Sequence, residues 1–321
     1  MKAAVVREFG RPPVYADIPE PVPRSGETLV SVTAVGVSRL ALSRASGEHY
    51  SAGTAPPFVP GVDGVGRTPE GRSVYFALPR PPFGSMAERV PVASTHLVSV
   101  PDAVDDTTAA AAANAGMSCW VPLSRLAPVR PGESVLVNGA TGVAGRMAIQ
   151  VAKHLGAHRV IATGRDEAKL RGLLPLGADV VLSLSQPADA LRAAVRKEAR
   201  ESTIGVVLDY LWGPSAEAIL GALGGPNAPR GASRVRFVSV GSLAGPTLSL
   251  DSSLLRSSGV ELLGTGIGSS TDIDLLDGIG QFFGALASSR FRIDIDAHPM
   301  SEVEQCWGKT TADKRLVFTL P

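Results

Sequence analysis

The sequence predicts an α/β protein in two parts, a β-rich first domain and a second domain built on a doubly wound parallel sheet. Three observations carry this. Up to about Gly116, short alternating runs are broken by proline and glycine clusters. From Val135 onward, apolar runs alternate with longer helical patterns, as in βαβ units. Between the first such run and its helix stands the glycine turn "GATGVAG", Gly139 to Gly145.

In chain order, "ETLVSVTAV", "SVYFAL" and "HLVSV" read as short strands, separated by turn-rich segments such as "PEPVPRSGE" and "PRPPFGS". The alanine run Ala109 to Ala113 reads as a small-residue helix joining the domains. Six strand candidates follow: "SVLVNGA", "RVIATG", "DVVLSL", "GVVLDY", "RFVSVG" and "VELLGTG". Helical patterns such as "RMAIQVAKHLG" and "DALRAAVRKEA" lie between them. Another helical run, "DIDLLDGIGQFFGALASS", precedes the strand-like "FRIDIDAHP" and "RLVFTLP", which are expected to return to the first domain. The expected boundaries are 1–116 with a return at 285–321, and 117–284.

At 321 residues, 44% hydrophobic and 19% charged, the chain has ample material for two cores. The formal charge is +1 and no block of five lysines or arginines occurs, so neither nucleic acid nor an anionic membrane is an expected partner. "MKAAVVREFG" lacks an uninterrupted apolar core, and a cytoplasmic location is expected. Cys119 and Cys306 are too few for a disulfide framework and read as buried core.

In the turn, Ala140, Gly142 and Gly145 fill the three places of a G-x-G-x-x-G dinucleotide fingerprint, with Thr141, Val143 and Ala144 between them. A strand before and a helix after would let the backbone approach a pyrophosphate resting on helix N-terminal amides. The other reading is a glycine-rich turn that merely needs positive φ. At the end of the next strand, NAD enzymes place an acidic residue on the ribose 2′-hydroxyl. Here Gly164 holds that place, Arg165 follows, and Lys169 lies one turn later on the same helical face, which favours NADPH. Alternatively, Asp166 is the acidic residue displaced by two and the two cations are solvated surface charges.

The chain resembles the zinc-independent quinone oxidoreductases (zeta-crystallin-like) of the medium-chain dehydrogenase/reductase superfamily along essentially its whole length. The landmarks are "MKAAVVREFG", "EPVPRSGETLVSVTAVGVS" with "RASG", "PGVDGVG", "AAANAGMSCW", "RPGESVLVNGATGVAGRMAIQVAK", "LGAD" and "HPMSEVEQC". The resemblance implies a GroES-like catalytic domain and a Rossmann cofactor domain with the active site in the cleft between them. It implies pyrophosphate contacts at Ala140 through Gly145, and 2′-phosphate contacts at Arg165 and Lys169. It further implies cofactor contacts at Ser118, at Gly241 and Gly266 on the nicotinamide side, and at Lys314. A homodimer paired through "GVELLGTGI" is also expected by resemblance, since a bare apolar edge invites uncontrolled pairing.

By the same resemblance, the catalytic zinc ligands of related alcohol dehydrogenases fall on Ser38, on Val62 with Asp63, and on Asn114. None is a thiolate or an imidazole, and zinc needs three or four fixed ligands. His154 and His158, the one close histidine pair, straddle Gly156 and read as exposed helix-end residues, so no metal is expected.

Without a Lewis acid to hold an alkoxide, the accessible chemistry is hydride donation to an electron-poor acceptor. A quinone, or a double bond conjugated to a carbonyl, leaves its negative charge on an oxygen that hydrogen-bond donors can hold. Tyr50 and Ser38 are the candidate donors by resemblance. Tyr50 reads equally as a half-buried surface aromatic, and Ser38 as the N-cap of "RLALSRASG". Arg44 matches a family arginine, whereas Ala41 stands where the family usually has aspartate. Two other readings stay open: an enoyl-thioester reductase, with Arg39, Arg44, Arg67 and Arg72 available for a phosphate, and a non-catalytic NADPH-binding redox sensor.

Overall fold

The computed structural model describes residues 1–49, 51–224, 234–309, 311 and 313–321. Their contacts gather into two units, Met1–Met117 with Thr271–Pro321, and Ser118–Ser270.

The first unit is built on a mixed sheet of seven strands. Along its main path they run Asp294–Pro299, Lys314–Thr319, Glu27–Gly36, Asp63–Arg67, Ser73–Ala77 and Leu97–Ser99, and Arg89–Ala93 also pairs with Glu27–Gly36. The two C-terminal strands pair parallel with each other, and Lys314–Thr319 pairs antiparallel with Glu27–Gly36. The apolar runs bury Val30, Val32, Phe76, Val90 and Phe318 in one core. The helix Asp106–Val121 is tied at its N-terminus by Asp106, which ion-pairs with Arg67 at 2.9 Å and accepts a 2.7 Å hydrogen bond from Thr33 Oγ1. Its alanine run has a steric cause. A Cβ on Gly36 would stand 2.3 Å from the Ala110 carbonyl oxygen, so strand and helix touch backbone to backbone.

The helix Asp272–Ser288 starts at Thr271, whose hydroxyl accepts from the Asp274 amide at 3.1 Å. It buries Ile279, Phe282 and Phe283 completely. The Phe283 ring meets Tyr75 edge-on at 5.7 Å, and a Cβ on Gly116 would stand 2.3 Å from the Phe282 ring. Residues 271–284 therefore group with the first unit, whereas the boundary read from the sequence puts them with the second.

The second unit is a six-stranded sheet in the order Val180–Ser183, Val160–Gly164, Ser134–Asn138, Ile204–Asp209, Val235–Ser239, Val260–Gly264. Every pairing is parallel. Counted along the chain the order is 3-2-1-4-5-6, the doubly wound arrangement. The central strands are buried throughout, which is why they read as continuous apolar runs, while Val260–Gly264, at an edge, is buried only at Val260 and alternates half-buried and exposed beyond it. Away from the carboxyl ends, buried Arg236 ion-pairs with Glu133 and donates to the Gly205 and Pro128 carbonyls.

Candidate active site and cofactor turn

In an open parallel sheet, ligands bind outside the carboxyl ends of the strands, where the strand order reverses. That point lies between Ser134–Asn138 and Ile204–Asp209, and the glycine turn leaves the first of them. Gly139 adopts φ +86°, and a Cβ there would stand 2.8 Å from Leu211. Its amide donates to Thr163 Oγ1 at 3.1 Å, and the Ala140 amide donates to the Thr163 carbonyl at 2.8 Å. A Cβ on Gly145 would lie 2.5 Å from Ala140 Cα, so the helix Val143–His154 rests directly on the turn. Ala140 and Gly145 are buried and shape the loop, while Thr141 through Ala144 stay partly exposed.

Gly142 is the N-cap of that helix and no side chain caps it; the first turn carries no carboxylate either. The first amides of the helix thus keep their donors for an incoming anion. The residues at this turn fit a dinucleotide pyrophosphate.

Three neighbouring strand ends are joined by buried side chains. Thr163 Oγ1 donates to Asn138 Oδ1 at 2.6 Å, and Asn138 Nδ2 donates to Asp209 Oδ1 at 2.8 Å and to Ser215 Oγ at 2.9 Å. Asp209 also accepts from the Leu211 and Trp212 amides, each at 3.0 Å at the nearer oxygen. Burial raises the Asp209 carboxyl above its ordinary range even with these donors around it.

Gly164 ends its strand fully enclosed. A Cβ at this position would stand 2.5 Å from Thr141 Cγ2, so the turn itself occupies the space an acidic side chain would need. Arg165 is exposed beside it, and Lys169 is half-buried one helical turn on. Asp166 is engaged otherwise: its carboxylate caps the helix Glu167–Arg171, accepting from the Lys169 amide at 3.0 Å.

Ser118 Oγ lies 3.3 Å from the hydroxyl of Tyr210, whose phenol is pushed well above its ordinary pKa by burial. Gly241 is pressed against the same residue, since a Cβ there would stand 2.9 Å from the Tyr210 carbonyl oxygen. Gly266 lies just beyond the edge strand, its amide donating to Ser269 Oγ at 2.8 Å. Sequence reasoning missed Asn138, Thr163, Asp209 and Tyr210. The polar residues ending apolar strands were their one visible signal.

In the first unit, Ser38 is buried and caps the helix Arg39–Ala45, accepting from the Ala41 amide at 3.1 Å. That bond uses an oxygen lone pair, not the hydroxyl proton. Val62 and Asp63 are buried and Asn114 half-buried. Burial pushes the Asp63 carboxyl up to about 6, although Tyr75 donates to it at 3.2 Å and the buried Arg315 charge opposes the rise. Lys314 is exposed at the start of the last strand. Tyr50 lies outside the described residues. His154 and His158 are both exposed near the end of the helix that begins at the turn.

Residues 144–276 match a family described as zinc-binding dehydrogenases. The chain is 30% identical to a probable NADPH-dependent quinone reductase of Emericella nidulans, the match covering 99% of each protein. Among solved structures it is similar to a mycobacterial quinone oxidoreductase, with TM-score 0.86, 25% identity and full coverage of both chains. A mycobacterial structure complexed with NADPH is likewise 25% identical over the whole of both chains, with TM-score 0.82.

Proposed function

The chain belongs to the quinone oxidoreductase family of the medium-chain dehydrogenase/reductase superfamily, and from that membership we propose that it is an NADPH-dependent reductase of quinones or α,β-unsaturated carbonyl compounds that works without a catalytic zinc. The observation that carries the cofactor choice is the packing of Gly164 against Thr141, which leaves no room for a ribose-binding carboxylate and sets Arg165 beside the vacated position.

NADPH supplies the hydride when bound. The chain's part is to seat the pyrophosphate on the uncapped amides after Gly142 and to hold the 2′-phosphate with Arg165 and Lys169. Ser118, Gly241, Gly266 and Lys314 complete the proposed contacts. An arginine at a phosphate is worth roughly 1.5–3 kcal/mol, enough to separate NADPH from NADH by about ten- to a hundredfold.

A quinone or enone that accepts hydride places negative charge on its oxygen. Tyr50 is the proposed donor to that oxygen, and Ser38 retains a hydroxyl proton for the same task. Ser38, Val62, Asp63 and Asn114 offer no thiolate or imidazole, so stabilisation falls to hydrogen bonds rather than to a metal.

The test is NADPH oxidation over a panel of quinones, enones and simple alcohols, with and without a strong chelator. Turnover with quinones or enones at unchanged rate in chelator is expected, and Tyr50→Phe should slow enones more than the intrinsically reactive quinones. Faster oxidation of ethanol than reduction of any quinone or enone, or activity lost on chelation, overturns the reading.

A further inference from the structure

The C-terminal segment carries a second constellation unrelated to the cofactor turn. His298, Glu302 and Cys306 each offer one ligand atom, and these three atoms all lie within 4.8 Å of one another. The chain path makes the cluster: His298 sits in the strand Asp294–Pro299, Glu302 closes the helical turn Met300–Glu302, and Cys306 closes the turn Val303–Cys306. Met300 and Val303 are buried beneath these turns and fix them to the core of the first unit. The strand is held in turn by its parallel register, His298 opposite Phe318.

The imidazole is oriented from both sides. Its Nδ1 lies 3.0 Å from Glu302 Oε2, and its Nε2 lies 3.2 Å from Asp296 Oδ1. A carboxylate on the far ring nitrogen is the usual outer partner of a metal-bound histidine, because it fixes the tautomer and turns the other nitrogen's lone pair toward the ion. Cys306 is 8% exposed, while the His298 and Glu302 side chains are 30% and 44% exposed, so an ion can enter from solvent.

We propose that His298 Nδ1, Glu302 and Cys306 bind one zinc ion, with Asp296 as the outer partner of the histidine and water in the fourth position. Sulfur, nitrogen and oxygen donors in a compact set favour zinc over magnesium or calcium. Zinc bonds of about 2.0–2.3 Å in a tetrahedron set neighbouring ligand atoms about 3.3–3.8 Å apart, so His298 Nδ1 and Glu302 Oε2, 3.0 Å apart, need to open slightly, and with all three ligand atoms within 4.8 Å of one another the thiolate needs to approach by at most about an ångström. On binding, the Cys306 thiol loses its proton to solvent, and Glu302 exchanges its contact with the imidazole for a bond to the ion. The ion would clamp strand to helical turn and take no part in hydride transfer.

The test uses the full chain, stripped with a chelator and titrated with zinc in competition with a chromogenic chelator. One equivalent per chain at submicromolar affinity is expected. Cys306→Ser and His298→Ala should each weaken it by more than about a hundredfold, and Asp296→Asn by about ten- to a hundredfold. Cobalt(II) should give a thiolate charge-transfer band in the wild type that Cys306→Ser lacks. Circular dichroism of each variant separates loss of the site from loss of fold, and the wild-type cobalt spectrum needs no variant. Absence of a tight equivalent, absence of the thiolate band, or equal zinc affinity in folded Cys306→Ser would show the cluster to be a hydrogen-bonded histidine clamp only and overturn the proposal.

Discussion

Asn138 donates a 2.8 Å hydrogen bond to Asp209, joining the carboxyl ends of the first and fourth strands of the parallel sheet with two fully buried side chains. Because Thr163 and Ser215 share the same amide, and Thr163 also holds the Gly139 amide, the shape of the cofactor turn depends on this bond.

Asn138→Ala should therefore cost about 1–3 kcal/mol, since it takes the side-chain donor from buried Asp209 and leaves the buried Thr163 hydroxyl proton without its acceptor. A matching loss of NADPH affinity, on the order of tenfold, is expected by fluorescence titration at a temperature where the variant is folded. A lowered melting temperature with unchanged affinity would make the network a scaffold with no bearing on the cofactor.

Arg165→Ala should weaken NADPH by about ten- to a hundredfold and leave NADH nearly unchanged. Gly164→Asp should impair both cofactors, because its Cβ meets Thr141 Cγ2. Adding Thr141→Ser removes that methyl and should restore NADH first. Equal wild-type affinity for the two cofactors would refute this account.

The Asp63 carboxyl is raised from its ordinary 3.8 to about 6 by burial. The folded protein thus holds this proton more tightly than the unfolded chain. Its contribution to stability is complete below about pH 4 and lost as the pH climbs through 6. A shift of about two units corresponds to roughly 2–3 kcal/mol. Denaturant unfolding across this window should show a downward slope in the wild type that Asp63→Asn flattens; the same slope in both proteins would place the raised group elsewhere.

Val260–Gly264 is the edge of its sheet, with Leu262 37% exposed. An apolar edge of this kind calls for a partner, and a second copy across a two-fold axis is the expected one. Sedimentation should give a mass near twice 33.1 kDa, falling toward the monomer in Leu262→Lys. A monomer across micromolar concentrations of the wild type would rule the pairing out.

The six parallel strands were legible because strands buried on both faces leave unbroken apolar runs, and the turn was legible because its glycines are demanded by backbone contact. The fate of Asp272–Ser288 was not. Its pattern says that one face is covered, but only tertiary contacts such as Phe283 on Tyr75 and Phe282 on Gly116 say by what. Asn138 and Asp209 are 71 residues apart, and nothing local pairs them. His298, Glu302 and Cys306 recur every four residues, a helical spacing, but the chain there crosses a strand and two short turns, so the spacing was not legible as one face, and Cys306 alone reads as core.

The strand Lys314–Thr319 lies inside the first sheet, between Asp294–Pro299 and Glu27–Gly36. Ser118–Ser270 is contiguous, whereas the sheet around Glu27–Gly36 needs a strand from nearly three hundred residues further along the chain, so the second unit is expected to complete its sheet before the first. Removing the strand Lys314–Thr319 would take Leu316 and Phe318 out of the core they share with Val30, Val32 and Phe76 and leave Ala34–Gly36 without their partner on that side, turning a short C-terminal truncation into a defect of the N-terminal core.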